Sequence, residues 1–174
     1  MGHGHAGKTS LVSAMLYTAG ATQRLGRVDD GTAATDYDDE EIARQMSIAS
    51  SLAYVEWGKT KINLIDTPGF NMFVHEAKMV MPAVEAAIVV VDGVAGVEVV
   101  TQRVWSYCEE YQTPRLIVAS RMDRERADAG RVLESLQNAF GRTVIPLFSL
   151  FHRFKFRLGC GMGRNNPQYN RWWK

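Results

Sequence analysis

Gly2-His3-Gly4-His5-Ala6-Gly7-Lys8-Thr9 stands at the head of a 174-residue chain and decides how the rest is read. It has the form G-x-x-x-x-G-K-[ST]. The glycines let the backbone wrap closely around a polyphosphate, so that the N–H groups from Gly2 to Gly7, those of His3, His5 and Ala6 included, point inward at its oxygens. Lys8 brings an ammonium to the outer phosphates, and the Thr9 hydroxyl is a ligand for Mg²⁺. A helix from Ser10 onward adds the positive end of its dipole. Such a loop should follow a buried strand, yet only Met1 precedes it. The expectation is a phosphate loop whose first strand is missing, in a chain of marginal stability.

Outward from the loop, Leu11, Ala14, Met15 and Leu16 recur at helical spacing, and Gly20 is a plausible stop. Residues Ala21 to Glu41 are rich in Gly, Asp, Thr and Arg without an apolar period, which predicts a long mobile loop. Two alternating runs, Leu52 to Trp57 and Lys61 to Asp66, flank Gly58-Lys59-Thr60 and predict a hairpin. The continuous run Ala86 to Val91 predicts a strand buried on both faces. A helix through Val99, Val100, Val104 and Tyr107 follows, then a strand at Arg115 to Ala119, a helix at Ala127 to Phe140 and a short strand at Thr143 to Leu147. Alternating strands and helices predict an α/β domain, a mostly parallel sheet with helices on both faces, of the P-loop nucleotide-triphosphatase class.

Two further motifs fall where such a sheet binds ligands. Asp66-Thr67-Pro68-Gly69 closes a predicted strand. Its carboxylate can hold a Mg²⁺-bound water, and flexible Gly69 lets its backbone N–H meet an outer phosphate. In isolation the same four residues are simply a good turn. Ser120-Arg121-Met122-Asp123 follows the strand ending at Ala119. A carboxylate there accepts a bidentate pair of hydrogen bonds from guanine, whose ring N–H and amino group both donate; adenine offers no such pair. The bland alternative makes Asp123 a helix cap.

Composition narrows the class. Hydrophobic residues make up 46% and charged residues 22%, ordinary for a globular domain. Formal charge is +1, but Phe148 to Lys174 hold six Lys/Arg and no acid. The 20 basic residues less these six leave 14 against 19 acidic ones, so the remainder is acidic. Cys108 and Cys160 are too few and too isolated for a disulfide framework or a zinc site. Without an apolar run near about 18 residues or a signal peptide, the expectation is a cytoplasmic protein with no membrane partner. No DNA partner is expected.

In motif order, and in Gly26-Arg27-Val28-Asp29-Asp30-Gly31 and Ile62 to Gly69, the chain resembles the GTPase domain of elongation factor G, more closely its bacterial elongation-factor-G-like branch. The resemblance spans about Gly2 to Leu147. It implies a translational GTPase fold, GTP or GDP and Mg²⁺ as ligands, GTP hydrolysis, and the ribosome as the family's usual partner. Arg44-Gln45-Met46-Ser47-Ile48 matches the family's switch I segment Arg-Gly-Ile-Thr-Ile, which makes Ser47 the second hydroxyl on Mg²⁺ beside Thr9 and Asp66. Asp66, Thr67, Pro68 and Gly69 match the entry to switch II, and Ser120 to Asp123 match the guanine motif Asn-Lys-x-Asp. Lys8, Asp66 and Gly69 then carry the catalytic roles.

Ser47 departs mildly from the family, since serine retains the necessary oxygen, and four further positions depart more. Phe70 stands where a histidine orients the attacking water, and a phenyl ring can do no such thing. His75 does not match the motif and reads as a solvated or locally bonded side chain. Ser120 shortens the asparagine of the guanine motif, while Arg121 replaces a lysine whose stem packs along the base. His5 replaces an aspartate and reads as tolerated.

Residues 148–174 match no family pattern. Basic charge interleaved with aromatic rings suits RNA, while an altered reading frame or unrelated terminal sequence explains the break with fewer assumptions. The expected organisation is therefore a partial GTPase domain over 1–147 and a basic aromatic tail over 148–174. Two other functions stay open at this point: a nucleotide switch with little hydrolysis, and an RNA-binding or interaction protein acting through the tail beside a vestigial pocket.

Overall fold

A computed structural model describes residues 1–35 and 38–147. The predicted tail, residues 148–174, lies outside the described residues.

Helix α1 (Lys8–Thr18) opens directly from the phosphate loop. Its N-cap is Gly7, whose φ of 84° is a left-handed conformation that favours glycine. Lys8, Thr9, Ser13 and Leu16 form its buried side. Helix α2 (Asp39–Arg44) begins inside the stretch expected to be loop. The reason is local: the Asp38 carboxylate caps it by accepting the Glu40 N–H at 2.8 Å, and Asp39, Glu40 and Glu41 suit its positive first turn.

The hairpin forms as predicted, with β1 (Ser51–Trp57) antiparallel to β2 (Thr60–Asp66) and Ser51 opposite Asp66. A 3₁₀ turn at Asn71–Phe73 leads into α3 (Val74–Met79). Strand β3 (Ala87–Asp92) is buried nearly throughout, in keeping with its β-branched run. Helix α4 (Val99–Glu110), β4 (Arg115–Ser120) and α5 (Ala129–Phe140) complete the order. Strands β3 and β4 pair in parallel, with Asp92 beside Ser120.

Val89 and Val91 share one face of β3. They form a core with Val74 and Ala77 of α3, Val100 and Val104 of α4, and Val132 and Leu136 of α5. Trp105 and Phe140 stack at 4.0 Å to join α4 and α5, and the Arg115 guanidinium lies over the Trp105 ring.

Among the described residues the ladders are one antiparallel pair, β1 with β2, and one parallel pair, β3 with β4. On its other edge β3 meets Met1 and Gly2, the Val90 N–H donating to the Met1 carbonyl at 2.8 Å and Gly2 forming a parallel bridge to Val90, while the Gly96 N–H closes back onto the Asp92 carbonyl at 2.9 Å. These two residues thus occupy the place of the strand expected before the loop. Residues 143–147 form no strand either. Their turn is tied to α5 by the Gln137 side-chain amide, which donates to the Val144 carbonyl at 3.0 Å.

Candidate nucleotide-binding site

The segments singled out by motif converge at one end of the strands. Thr9, the second residue of α1, donates its hydroxyl hydrogen to Asp66 Oδ2 at 2.7 Å, and its oxygen lies 3.4 Å from Ser47 Oγ. Asp66 is the last residue of β2 and is buried. Residues 9, 47 and 66, from three separate stretches of chain, therefore meet. Two hydroxyls and a carboxylate offer oxygen donors alone, which suits a hard divalent cation such as Mg²⁺.

Lys8 is buried, and its ammonium donates to the His3 carbonyl at 2.9 Å, so its charge is held inside the curl of the loop. The curl is tight: the Ala6 N–H bonds back to the His3 carbonyl, and His5 takes a left-handed φ of 59°. His3 places Nε2 3.4 Å from Glu98 Oε1 at the start of α4, while its buried Nδ1 has no partner among the described residues.

Gly69 comes up against this loop. A Cβ built on it would lie 2.8 Å from both the Gly4 nitrogen and the His3 carbonyl carbon, closer than real side chains come. Only glycine allows that approach to the loop backbone. Thr67 and Pro68 are fully buried, and the Thr67 hydroxyl has no partner among the described residues. Phe70 follows. Its ring lies over Gly4, where an added Cβ would stand 3.2 Å away, and meets the His5 ring edge-on at 5.3 Å. His75 is exposed, with its Nε2 3.7 Å from Glu76 Oε1.

At the end of β4, Ser120 does more than its sequence suggested. Its hydroxyl donates to the Ala6 carbonyl at 2.6 Å and lies 3.2 Å from the Val91 carbonyl, so β4 is fastened to the phosphate loop. Arg121 adopts a positive φ of 54°, and its guanidinium pairs with Asp92 Oδ2 at 3.0 Å. The other Asp92 oxygen accepts the N–H groups of Val94 and Ala95. Burial pushes the Asp92 carboxyl up, but those two N–H groups and Arg121 outweigh it and hold the group below its ordinary 3.8. Asp123 is exposed in the turn beyond and makes no hydrogen bond or ion pair among the described residues.

Three further residues escaped the sequence reading. The Thr35 hydroxyl donates to Asp66 Oδ2 at 3.2 Å, and its carbonyl accepts Ser51 Oγ at 2.7 Å. Glu41 is buried and bonds the backbone just after Ser47. Asp92 was readable, since it ends an apolar strand just as Asp66 does.

A phosphate loop at the end of an α/β sheet, with a hydroxyl–carboxylate cluster beside it and a glycine pressed onto it, defines a P-loop GTPase domain. The chain belongs to the family described as Elongation factor Tu GTP binding domain, whose model matches residues 1–166. The mitochondrial ribosome-releasing factor 2 of Culex quinquefasciatus is 37% identical over 147 residues, covering 84% of this chain and 20% of that protein. That of Drosophila melanogaster is 41% identical over 138 residues, covering 79% and 19%. The elongation factor G-like protein of Mycobacterium tuberculosis is 36% identical over 142 residues, covering 82% and 20%. A crystal structure of a protein from Thermus thermophilus superposes with a TM-score of 0.77 at 36% identity, covering 80% of this chain and 21% of that one. The chain spans about a fifth of the length of the curated relatives it matches. It is a GTP-binding domain of the elongation-factor type, with relatives among translation factors. No helix among the described residues is long and apolar enough to cross a membrane.

Proposed function

We propose that residues 1–147 bind GTP and GDP with Mg²⁺ and hydrolyse GTP slowly, as part of a cytoplasmic translation factor acting at the ribosome. The observation that carries this is the meeting of Thr9, Ser47 and Asp66 beside Lys8. Each residue then has a distinct task. The backbone amides of Gly2 to Gly7 and the Lys8 ammonium bind the phosphates, while Thr9 and Ser47 present hydroxyl oxygens to the metal and Asp66 supports it. When bound, Mg²⁺ neutralises charge developing on the phosphates. Gly69 brings its N–H to the outer phosphate, Thr67 and Pro68 fix the approach, and Asp123 selects guanine beside Ser120 and Arg121.

A second reading, a nucleotide switch with little hydrolysis, is favoured by Phe70, whose ring packs on Gly4 and His5 where a water-orienting group would be needed. We keep residues 148–174 as a separate basic, aromatic tail with no assigned part in the site.

Calorimetry tests the proposal with Mg-GTP, Mg-ATP and GTP in chelator. Binding should be strongest for Mg-GTP, weaker without metal and weakest for Mg-ATP. Equal binding of ATP and GTP, unchanged in Asp123→Asn, refutes the guanine site.

A further inference from the structure

We infer that Glu41 is a positioning residue that presents the Ser47 hydroxyl to Thr9 and Asp66, so that metal-dependent nucleotide retention depends on a carboxylate that never touches the metal. This rests on the Mg²⁺-dependent nucleotide binding proposed above.

Glu41 sits at the end of the acidic run Asp38-Asp39-Glu40-Glu41. Its three neighbours in the run are exposed, whereas Glu41 is only 3% exposed. A carboxylate leaves water at a large cost unless donors replace the water. The donors here are two backbone groups: Glu41 Oε1 accepts the Ile48 N–H at 2.8 Å and the Ala49 N–H at 3.2 Å. Both lie immediately after Ser47, so the carboxylate holds the chain at the point where Ser47 faces Thr9.

Local geometry shows how α2 can reach its own downstream chain. Gln45 adopts a left-handed φ of 51°, and the Met46 N–H bonds back to the Glu41 carbonyl at 3.1 Å. The chain therefore reverses at once and runs back past Glu41. Farther out, Thr35 holds Asp66 and Ser51 holds Thr35, so the segment from 35 to 51 is tied to the cluster at both ends. The Glu41 grip lies between these ties, next to Ser47. Its side chain has no contact that needs a nucleotide, which separates its task from those of Lys8 and Asp123.

The test measures release of a fluorescent GDP from the full chain against Mg²⁺ concentration and in chelator, for wild type, Glu41→Ala and Glu41→Gln. Glu41→Ala should raise the Mg²⁺ requirement at least about tenfold, the factor carried by one lost hydrogen bond to a charged group. Affinity in chelator should be unchanged. Glu41→Gln keeps an acceptor oxygen and should restore most of the Mg²⁺ response. A second measurement on unmodified, nucleotide-free protein follows amide exchange at Ile48 and Ala49, expected to be slowed at both positions. Equal loss of affinity with and without metal would reduce Glu41 to a structural residue and overturn the inference. So would an unchanged Mg²⁺ requirement, or exchange of both amides at unfolded-chain rates. If wild type bound no nucleotide at all, the underlying site assignment would fall instead, and the metal role of Glu41 with it.

Discussion

Replacing Ser120 by alanine tests whether β4 and the phosphate loop are mechanically one unit. The Ser120 hydroxyl reaches the Ala6 carbonyl at 2.6 Å, across 114 positions of sequence, and Ala6 is 1% exposed. Removing the hydroxyl loses a net hydrogen bond of about 0.5–1.5 kcal/mol and strands a buried carbonyl, which alone costs about 1–3 kcal/mol. A destabilisation of about 2 kcal/mol follows, or about 4–8 °C in Tm for a chain of this size. Ser106→Ala is the matched control. Its hydroxyl makes an equally short bond, 2.7 Å to the Arg103 carbonyl, but on the exposed side of α4. There water replaces the lost donor and alanine is the better helix former, so no loss is expected. Thermal melts of wild type, S120A and S106A decide the matter, with nucleotide affinity measured alongside because the Ala6 carbonyl anchors the loop two residues before Lys8. An S120A melt equal to wild type would refute the reasoning. So would an S106A loss as large as that of S120A, since burial would then not be the cause.

Gln45→Gly should tighten the chain reversal after α2, because relief of a left-handed backbone worth about 1–2 kcal/mol exceeds the about 0.5–1 kcal/mol of extra chain entropy that glycine brings; slower amide exchange at Ile48 and Ala49 would register it, and faster exchange would count against it. The lowered carboxyl of Asp92 contributes stability that is present above its ordinary 3.8 and is lost as pH falls through the lower folded value. Asp92→Asn should therefore flatten the acid limb of a stability–pH curve, and an unaltered limb would remove Asp92 from the account. Phe70→His should raise GTP hydrolysis by about 10²-fold or more, the usual scale for an orienting or acid–base group; an unchanged rate in a variant that binds GTP normally would mean that water is oriented elsewhere.

Much of the molecule was legible because its signals are local. The hairpin announced itself by alternation around Gly58, β3 by its run of valines, and α5 by a period that puts Val132 and Leu136 on one side. The phosphate loop and Asp-Thr-Pro-Gly could be picked out for the same reason, as short contiguous patterns. Thr35 and Glu41 could not. A helix of six residues is too brief to show a period, so Glu41 was indistinguishable from the exposed acids beside it, and only the reversal at Gln45 puts it under Ile48 and Ala49. Thr35 likewise gains its meaning from Asp66, which lies 31 residues away. Ser120 makes the point most sharply. By sequence it was a shortened asparagine and therefore a defect, yet a hydroxyl is long enough because β4 ends one hydrogen bond from Ala6. Whether a side chain is too short depends on the gap it must span, and that gap belongs to the packing of strand against loop, not to the motif.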